Sequence, residues 1–546
     1  MKIFSFRPTR FISRRLLELL AVLSLGSTAL VAGKGQLPGA ELFTDDRVTQ
    51  IEIEIGPGEM DALRQDSNYK SRDQRKGYSV TVREGTRVYR DVDLHLKGRP
   101  LGSFRPITDK PAFTLSFDKH VANQSFHGLK KISFNNSMED PTRISERFVR
   151  ELYRSAGVPA PRVGVATARL NGRDLGVYVL LEGYTRQFLK QHFPNPDGNL
   201  YDADPGEEIN ASGKQPVNSG RNREDQSRLK DLVAAAQEPD LARRMRRLED
   251  VLDVERFVSM LAVDVMINNW DGYSIGLNNY RMFHDLKSNR IVFLPHGLDL
   301  TFNNPKASIV PRLSGLVGRA LLETPEGRQR YLRRLAELTE KIFDAHTLTN
   351  RARQLAAPIA REMIARDAKL AAEHQSSVNE YCAHVAERAA NLRQQLVGIT
   401  QPLQFDSSGS APLREWKPVN EFGVATFDGT NATDHALVIR ADHGAVIGRW
   451  SKRVWLEKGR YRLEGKIRTT DVAAAPGTAR GGAALRPANR HATDYAVGTQ
   501  DWKTATFDFE VFDPFYEIEL LCELRAQKGE AQFDGESLKL FRLSSP

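Results

Sequence analysis

The sequence predicts an α+β region followed by an all-β sandwich. Three observations carry this. Apolar and polar residues alternate in short runs up to about residue 182. Apolar residues then recur at helical spacing from about residue 254 to 397. Alternation returns beyond a Pro- and Ser-rich break at 401–412. At 546 residues the chain is long enough for two or three domains. Its 40% hydrophobic and 27% charged content is that of ordinary globular protein.

The first element is a targeting segment. Lys2, Arg7, Arg10, Arg14 and Arg15 form a basic start, and Leu16 to Ala32 is apolar apart from Glu18. This reads as a secretory signal over 1–33, cleaved near Ala32 or Gly33, with an uncleaved anchor as the competing reading. The run Ser13-Arg14-Arg15-Leu16-Leu17 has twin-arginine character. The expected location is therefore secreted, periplasmic or extracellular. The whole chain carries +9, of which residues 1–32 hold five positive groups and one negative, leaving a mildly basic +5. No basic stripe is interleaved with aromatic residues, which argues against nucleic acid. No second long apolar run follows, so no mature transmembrane span is expected. The two cysteines, Cys382 and Cys522, lack zinc spacing, and Cys522 sits in an apolar run that favours a buried thiol.

From about residue 41, Ile51, Ile53 and Ile55 alternate with Glu52 and Glu54. The same period recurs at Val92, Leu94 and Leu96, and at Phe113, Leu115 and Phe117. This predicts a mainly antiparallel β lobe over about 41–182 with one face on a core. Asp140-Pro141 predicts a capped helix start, with Ile144, Phe148 and Leu152 as its buried stripe. Val163 to Ala168 and Gly176 to Glu182 form a predicted hairpin around Asn171-Gly172. Residues 202–228 are polar and read as a long loop. Val254 to Asn268 is an apolar helix with Phe257, Leu261 and Val265 on one face, and a short hairpin follows at 280–284 and 291–294. Arg328 to Val397 reads as helical, broken near Ala345 and near Gln375. Residues 401–412 are a predicted linker, and 413–546 contain short strands of a jelly-roll-like sandwich. Trp416, Trp450 and Trp502 in that part are core residues or, on the second reading, sugar-stacking surfaces that would make carbohydrate a partner.

The densest chemistry lies between Trp270 and Phe302. Trp270-Asp271-Gly272-Tyr273 is a turn carrying an acid, Asn278-Asn279-Tyr280 a turn carrying two carboxamides, and Leu294-Pro295-His296-Gly297-Leu298-Asp299 a strand followed by a second acid. Two carboxylates and an amide arriving from separate turns can hold Mg²⁺ and orient a hydroxyl. Asp-Gly and Asn-Asn are also common turn formers, and Asp299 could simply cap a helix.

Upstream, an apolar strand ending in Asn135 precedes Asp140 and an Arg-bearing helix. Gly157-Val158-Pro159-Ala160-Pro161 follows, then Asn171-Gly172 with Gly176-Val177-Tyr178 and Glu182, then Gly198-Asn199-Leu200-Tyr201. Together with the later turns, this order resembles the spore-coat-protein-H (CotH) kinase family over roughly residues 45 to 310. The resemblance implies an atypical protein-kinase-like two-lobed fold over 41–400, its helical C-lobe over about 183–400. It implies Asp271 as the catalytic base that orients the hydroxyl, and Asn279 and Asp299 as ligands of Mg or Mn. It implies Lys110 on the phosphates of ATP, with Lys97 as the competitor, and Glu146 or Glu151 as the partner of that lysine. Glu182 would lie near the adenine. The implied function is transfer of the γ-phosphate of ATP to a hydroxyl of a secreted or surface protein. The chain departs from the family pattern at Gly297, where much of the family has Asp, and at Asn278, where it often has His. The alternative is therefore an inactive secreted scaffold, a pseudokinase with a carbohydrate- or surface-binding sandwich.

Overall fold

The structure, a computed structural model, describes residues 37–66, 75–98, 102–202, 206–209, 217–399, 403–429, 436–474, 481–488 and 490–543. Residues 1–33, expected as a signal segment, lie outside the described residues. The fold is mixed α/β: two β-rich parts flank a helical region. Among the described residues no helix is long and apolar enough to cross a membrane.

The first part is a closed barrel. Its strands are β1 (Val48–Glu54), β2 (Gly77–Glu84), β3 (Arg87–Lys97), β4 (Ala112–Ser116), β5 (Lys131–Asn135), β6 (Val163–Leu170) and β7 (Arg173–Glu182), with a short helix α1 (Pro57–Asp66) after β1. The order around the barrel is β1-β2-β3-β4-β5-β7-β6. All neighbours are antiparallel except β1 and β6, which pair in parallel from Val48↔Val165 to Ile53↔Leu170 and close the ring. One face of the mainly antiparallel strands lies on a core, as expected, and that core is the interior of the closed barrel. Ile53, Val82, Leu94, Leu115, Ile132 and Leu180 are all buried there. Each buried aliphatic of this kind contributes roughly 1.5–3 kcal/mol. The β6–β7 hairpin turns at Asn171 and Gly172, both with positive φ (46° and 80°), which is the backbone an Asn-Gly pair tolerates.

Helix α2 (Ser145–Ser155) lies between β5 and β6 in sequence. It starts four residues after the predicted Pro141. Asp140 still caps it, but across a loop: its carboxylate accepts from Thr142 N at 2.9 Å and from Ser145 N at 3.0 Å. Arg143 takes a positive φ of 58° in that loop.

After β7 come α3 (Arg186–His192), β8 (Leu200–Asp202), β9 (Val217–Ser219), α4 (Ser227–Ala236), α5 (Leu241–Val251), α6 (Val254–Met266) and a single turn α7 (Tyr273–Gly276). The hairpin β10 (Tyr280–Asp285) and β11 (Arg290–Pro295) joins β8 and β9 in a small sheet ordered β11-β10-β8-β9. Part of the expected 202–228 loop, 203–205 and 210–216, lies outside the described residues. Helices α8 (Leu316–Glu323), α9 (Pro325–Ile342), α10 (Ala345–Ile364) and α11 (Ala368–Ile399) complete the region. The first expected break, near Ala345, is present. The second falls at 365–367 instead of near Gln375, because Asp367 caps a new helix by accepting from Lys369 N at 2.7 Å. Every side chain of α6 from Phe257 to Met266 is buried, so this helix is the core of the region, packed on α2 and α9.

The last part runs from β12 (Ser410–Pro412) through β13 (Lys417–Phe422), β14 (Thr426–Asp428), β15 (Ala436–Ala441), β16 (Val446–Ala473), β17 (Gly482–Pro487), β18 (Gly498–Ala526) and β19 (Lys528–Asp534) to β20 (Lys539–Leu543). Residues 410–412, expected as linker, pair with β20 and belong to this sheet. Its core is separate, built on residues such as Ile439, Leu463, Leu520 and Phe533. Trp450 is in that core, its indole N–H donating to Val438 O. Trp416 is half-buried against it, and Trp502 lies under the Arg468 guanidinium. Both cysteines are buried and unpaired.

Candidate functional site

Two groups of side chains meet where the barrel faces the helical region. The first hangs from strand ends. Lys97 closes β3 and Asn135 closes β5, and the lysine Nζ donates to Asn135 Oδ1 at 2.6 Å. Asn135 Nδ2 reaches Glu146 Oε1 on α2 at 3.4 Å. Glu146 also accepts from Arg150 Nε at 2.7 Å, and this ion pair is almost fully buried. Burial pulls the Lys97 ammonium down to about 8, the Glu146 carboxylate working in the other direction.

The second group hangs from turns. The chain leaves α6 and places Asp271 in a tight turn before α7. Asn278 Nδ2 donates to Asp271 Oδ1 at 2.9 Å, and Asn279 Nδ2 donates to Oδ2 at 2.5 Å. Both carboxylate oxygens are thereby oriented. Asn279 has a positive φ of 49°, and its carbonyl accepts from His296 N at 2.9 Å, tying the turn to the end of β11. Tyr184 Oη donates to Pro295 O and also accepts from Arg150, which ties the end of β11 to helix α2.

Gly297 shows what the departure from the family pattern does. Its φ is +54°, and a Cβ built on it would stand 2.6 Å from Asn279 Oδ1. The carboxamide of Asn279 fills the space a side chain would need. Two residues on, burial raises the Asp299 carboxyl to about 7, and the neighbouring Glu146 and Glu139 carboxylates push in the same direction. The oxygens of Asp299 and Asn279 are of the hard type that suits Mg²⁺ or Mn²⁺. Among the described residues no group of three or more His, Cys, Asp or Glu forms a cage for a metal.

The structure brings Asp271 and Asn279 into one hydrogen-bonded unit and puts Asp299 in the field of Glu146 and Lys97. It does not bring Lys110 or Glu182 there. Lys110 Nζ donates to Val177 O at 2.7 Å and stands over the Tyr178 ring. Glu182 is bound by Arg162 at 2.7 Å and by Gln191. Of the two acids considered on α2, Glu151 pairs with Arg147 and Arg351, which leaves Glu146 on the lysine side. Asn135, Arg150, Tyr184 and the Arg281–Asp202 pair at 2.9 Å were not anticipated. The spacing of Glu146 and Arg150 by four was the signal available for one of these pairs.

Comparison with known proteins adds lineage to this geometry. The Helicobacter pylori proinflammatory kinase CtkA superposes on 53% of this chain and 95% of its own, at 10% identity and a TM-score of 0.28. A carbohydrate-binding module, TmCBM61, solved with β-1,4-galactotriose, covers 24% of this chain and 91% of its own, at 17% identity and a TM-score of 0.19. Invasin CotH2 of Rhizopus delemar is 24% identical over 270 residues, 44% of this chain and 45% of the invasin. The chain thus spans less than half the length of that relative. Inner spore coat protein H of Bacillus subtilis is 21% identical over 271 residues, 46% of this chain and 72% of the coat protein. The profile described as CotH kinase protein matches residues 99–392, more than half of the chain and all of the turns that hold Asp271, Asn279 and Asp299, and the chain belongs to that family.

Proposed function

We propose that this chain is a secreted kinase of the CotH type that moves the γ-phosphate of ATP to a protein hydroxyl. In this reading the barrel is the N-lobe, the helices from α3 to α11 the C-lobe, and the last sheet an appended domain. The observations that carry it are the buried connection Lys97–Asn135–Glu146 and the Asp271 carboxylate held at both oxygens by Asn278 and Asn279. Phosphoryl transfer is mostly positioning and charge neutralisation, and these are the parts it needs. Lys97, rather than Lys110, binds the non-transferred phosphates, and Glu146 keeps it in place. Asp271 accepts a hydrogen bond from the attacking hydroxyl and takes its proton. Asn278 and Asn279 hold its carboxylate in one orientation. Asp299 and Asn279 would hold Mg²⁺ or Mn²⁺, which supplies charge neutralisation on the phosphates when bound.

One observation favours a second reading. With Gly297 in place of the acid, the site has one carboxylate fewer, and a non-catalytic scaffold needs none. Incubating the purified mature protein with γ-labelled ATP and Mn²⁺ or Mg²⁺ separates the two. Label in the protein or in an added acceptor supports the kinase. No label and no metal-dependent nucleotide binding assigns the chain to the scaffold class. Asp271→Asn, which keeps shape but removes the base, should lower turnover by about 10²–10⁴ and leave nucleotide binding near its wild-type value.

A further inference from the structure

The turn that carries Asp271 is held from below by a buried polar network. Tyr153 and Asp264 are both essentially inaccessible, as is Asn269. Tyr153 Oη on α2 donates to Asp264 Oδ1 on α6 at 2.5 Å. Asn269 Nδ2 donates to that same oxygen at 2.7 Å, and Asn269 N donates to the Asp264 backbone carbonyl at 2.7 Å. Asn269 is therefore fixed through both its side chain and its backbone by one residue. Asn269 in turn fixes the far side of the turn. Its carbonyl accepts from Gly272 N at 3.2 Å, and a Cβ on Gly272 would stand 2.6 Å from Asn269 Nδ2. Asp271 lies between those two anchors.

The other end of the network is the helix that carries Glu146. Glu146, Arg150 and Tyr153 stand at i, i+4 and i+7 on α2 and share one stripe. We propose that Tyr153 and Asp264 are positioning residues that lock the Asp271 turn to the Glu146 helix, so that the two sides of the site move as one body. The proposal rests on the reading of Asp271 as the hydroxyl-orienting acid. A polar pair in the centre of an apolar helix bundle is costly compared with well-packed apolar side chains. Asp264 Oδ2 is buried without a hydrogen-bond partner, so the acid is not there for the sake of full satisfaction. Holding a single geometry is what a buried network of this kind supplies. A neutral carboxyl, with its proton on Oδ2 and both donors on Oδ1, fits the observed bonds.

The test uses the full chain with Tyr153→Phe, Asp264→Asn and Asp264→Ala. Amide exchange of residues 269–272 and the rate and KM for ATP in labelling assays are both measured. Tyr153→Phe and Asp264→Ala are expected to speed exchange in the turn about tenfold. They should lower the rate by roughly 10–100-fold, the scale of a misplaced reacting group, with KM for ATP within about twofold. Asp264→Asn keeps an acceptor at Oδ1 and should retain both properties. Wild-type exchange in the turn for both Tyr153→Phe and Asp264→Ala overturns the proposal. So does faster exchange spread evenly over α6 and α9, which is the mark of a merely structural role. If Asp264→Ala does not fold, the contrast between Tyr153→Phe and Asp264→Asn decides. A wild-type chain that labels nothing sinks the kinase reading, while the exchange contrast still decides the positioning.

Discussion

The choice between two lysines turns on what each side chain touches. Lys97 and Lys110 both stand at strand borders, and nothing in the order of residues says which border faces α2. In the structure Asn135, 38 residues further on, bridges Lys97 to Glu146 on α2. Lys97→Met should therefore weaken metal-dependent ATP binding at least tenfold, measured by calorimetry, whereas Lys110→Met should change it less than twofold. Equal effects of the two would return Lys110 to the phosphate site. The acid turns were more legible. Asp271-Gly272 and Asn278-Asn279 are turn chemistry on the surface of a sequence, and the structure joins them by two hydrogen bonds. Gly297 was legible as a departure but not as a geometry. Its left-handed backbone and its approach to Asn279 mean that any side chain there is strained, by about 1–2 kcal/mol from the backbone alone. Gly297→Ala should lower the melting temperature by a few degrees. Restoring the family acid with Gly297→Asp should lower stability similarly and displace Asn279. A stable Gly297→Asp chain with unchanged nucleotide binding would contradict that arrangement.

Among the elements, the β6–β7 hairpin and helix α6 match the patterns that announced them, because Asn-Gly turns and continuous apolar runs are local signals. The start of α2 was displaced because Asp140 reaches Ser145 N across a loop in which Arg143 has a positive φ. Barrel closure was not legible at all: the parallel β1–β6 pair joins strands more than a hundred residues apart. Burial inside α6 makes a second kind of prediction. Asp264 lies among apolar side chains, and burial raises its carboxyl to about 7, with the bonds from Tyr153 and Asn269 opposing. In the unfolded chain it returns to about 3.9. The folded state holds the proton more tightly, so its contribution to stability is complete below about pH 4 and declines as pH rises to about 7, by roughly 1.4 kcal/mol per unit. Above that it is flat. Asp264→Asn does not titrate, so its stability relative to wild type should climb between pH 5 and 7 and level off by about pH 8. Denaturant unfolding at those pH values is the measurement, and a pH-independent difference would mean the acid is ionised throughout.

At the scale of the whole molecule, the final sheet has its own core, yet Trp455 packs outside it. Trp455 on β16 is buried, 5% exposed, within the cluster built on the helices rather than within the sandwich. Glu457, two residues on, lies in the field of Arg328 on α9. Phe512 on β18 helps line a cavity of about 240 Å³ with Val310, Leu313 and Tyr331. A change of composition after the last helix was legible, although residues 410–412 of the expected linker pair with β20; a docked indole is not legible, because Trp455 has the same alternating neighbours as any strand residue. Two consequences can be separated. A fragment covering 403–546 should fold alone and melt as a cooperative β protein, since its core of residues such as Leu463 and Leu520 is complete. In that fragment the Trp455 side chain has lost its cover. Trp455→Ala should then change the fragment's stability by less than about 0.5 kcal/mol, the usual size for a surface site. In the full chain the same substitution leaves a cavity in the helical core and should cost about 3–5 kcal/mol there. Calorimetry of the four proteins tests this. If the substitution weakens the fragment as much as the full chain, Trp455 belongs to the sandwich and the two parts are joined by the linker alone.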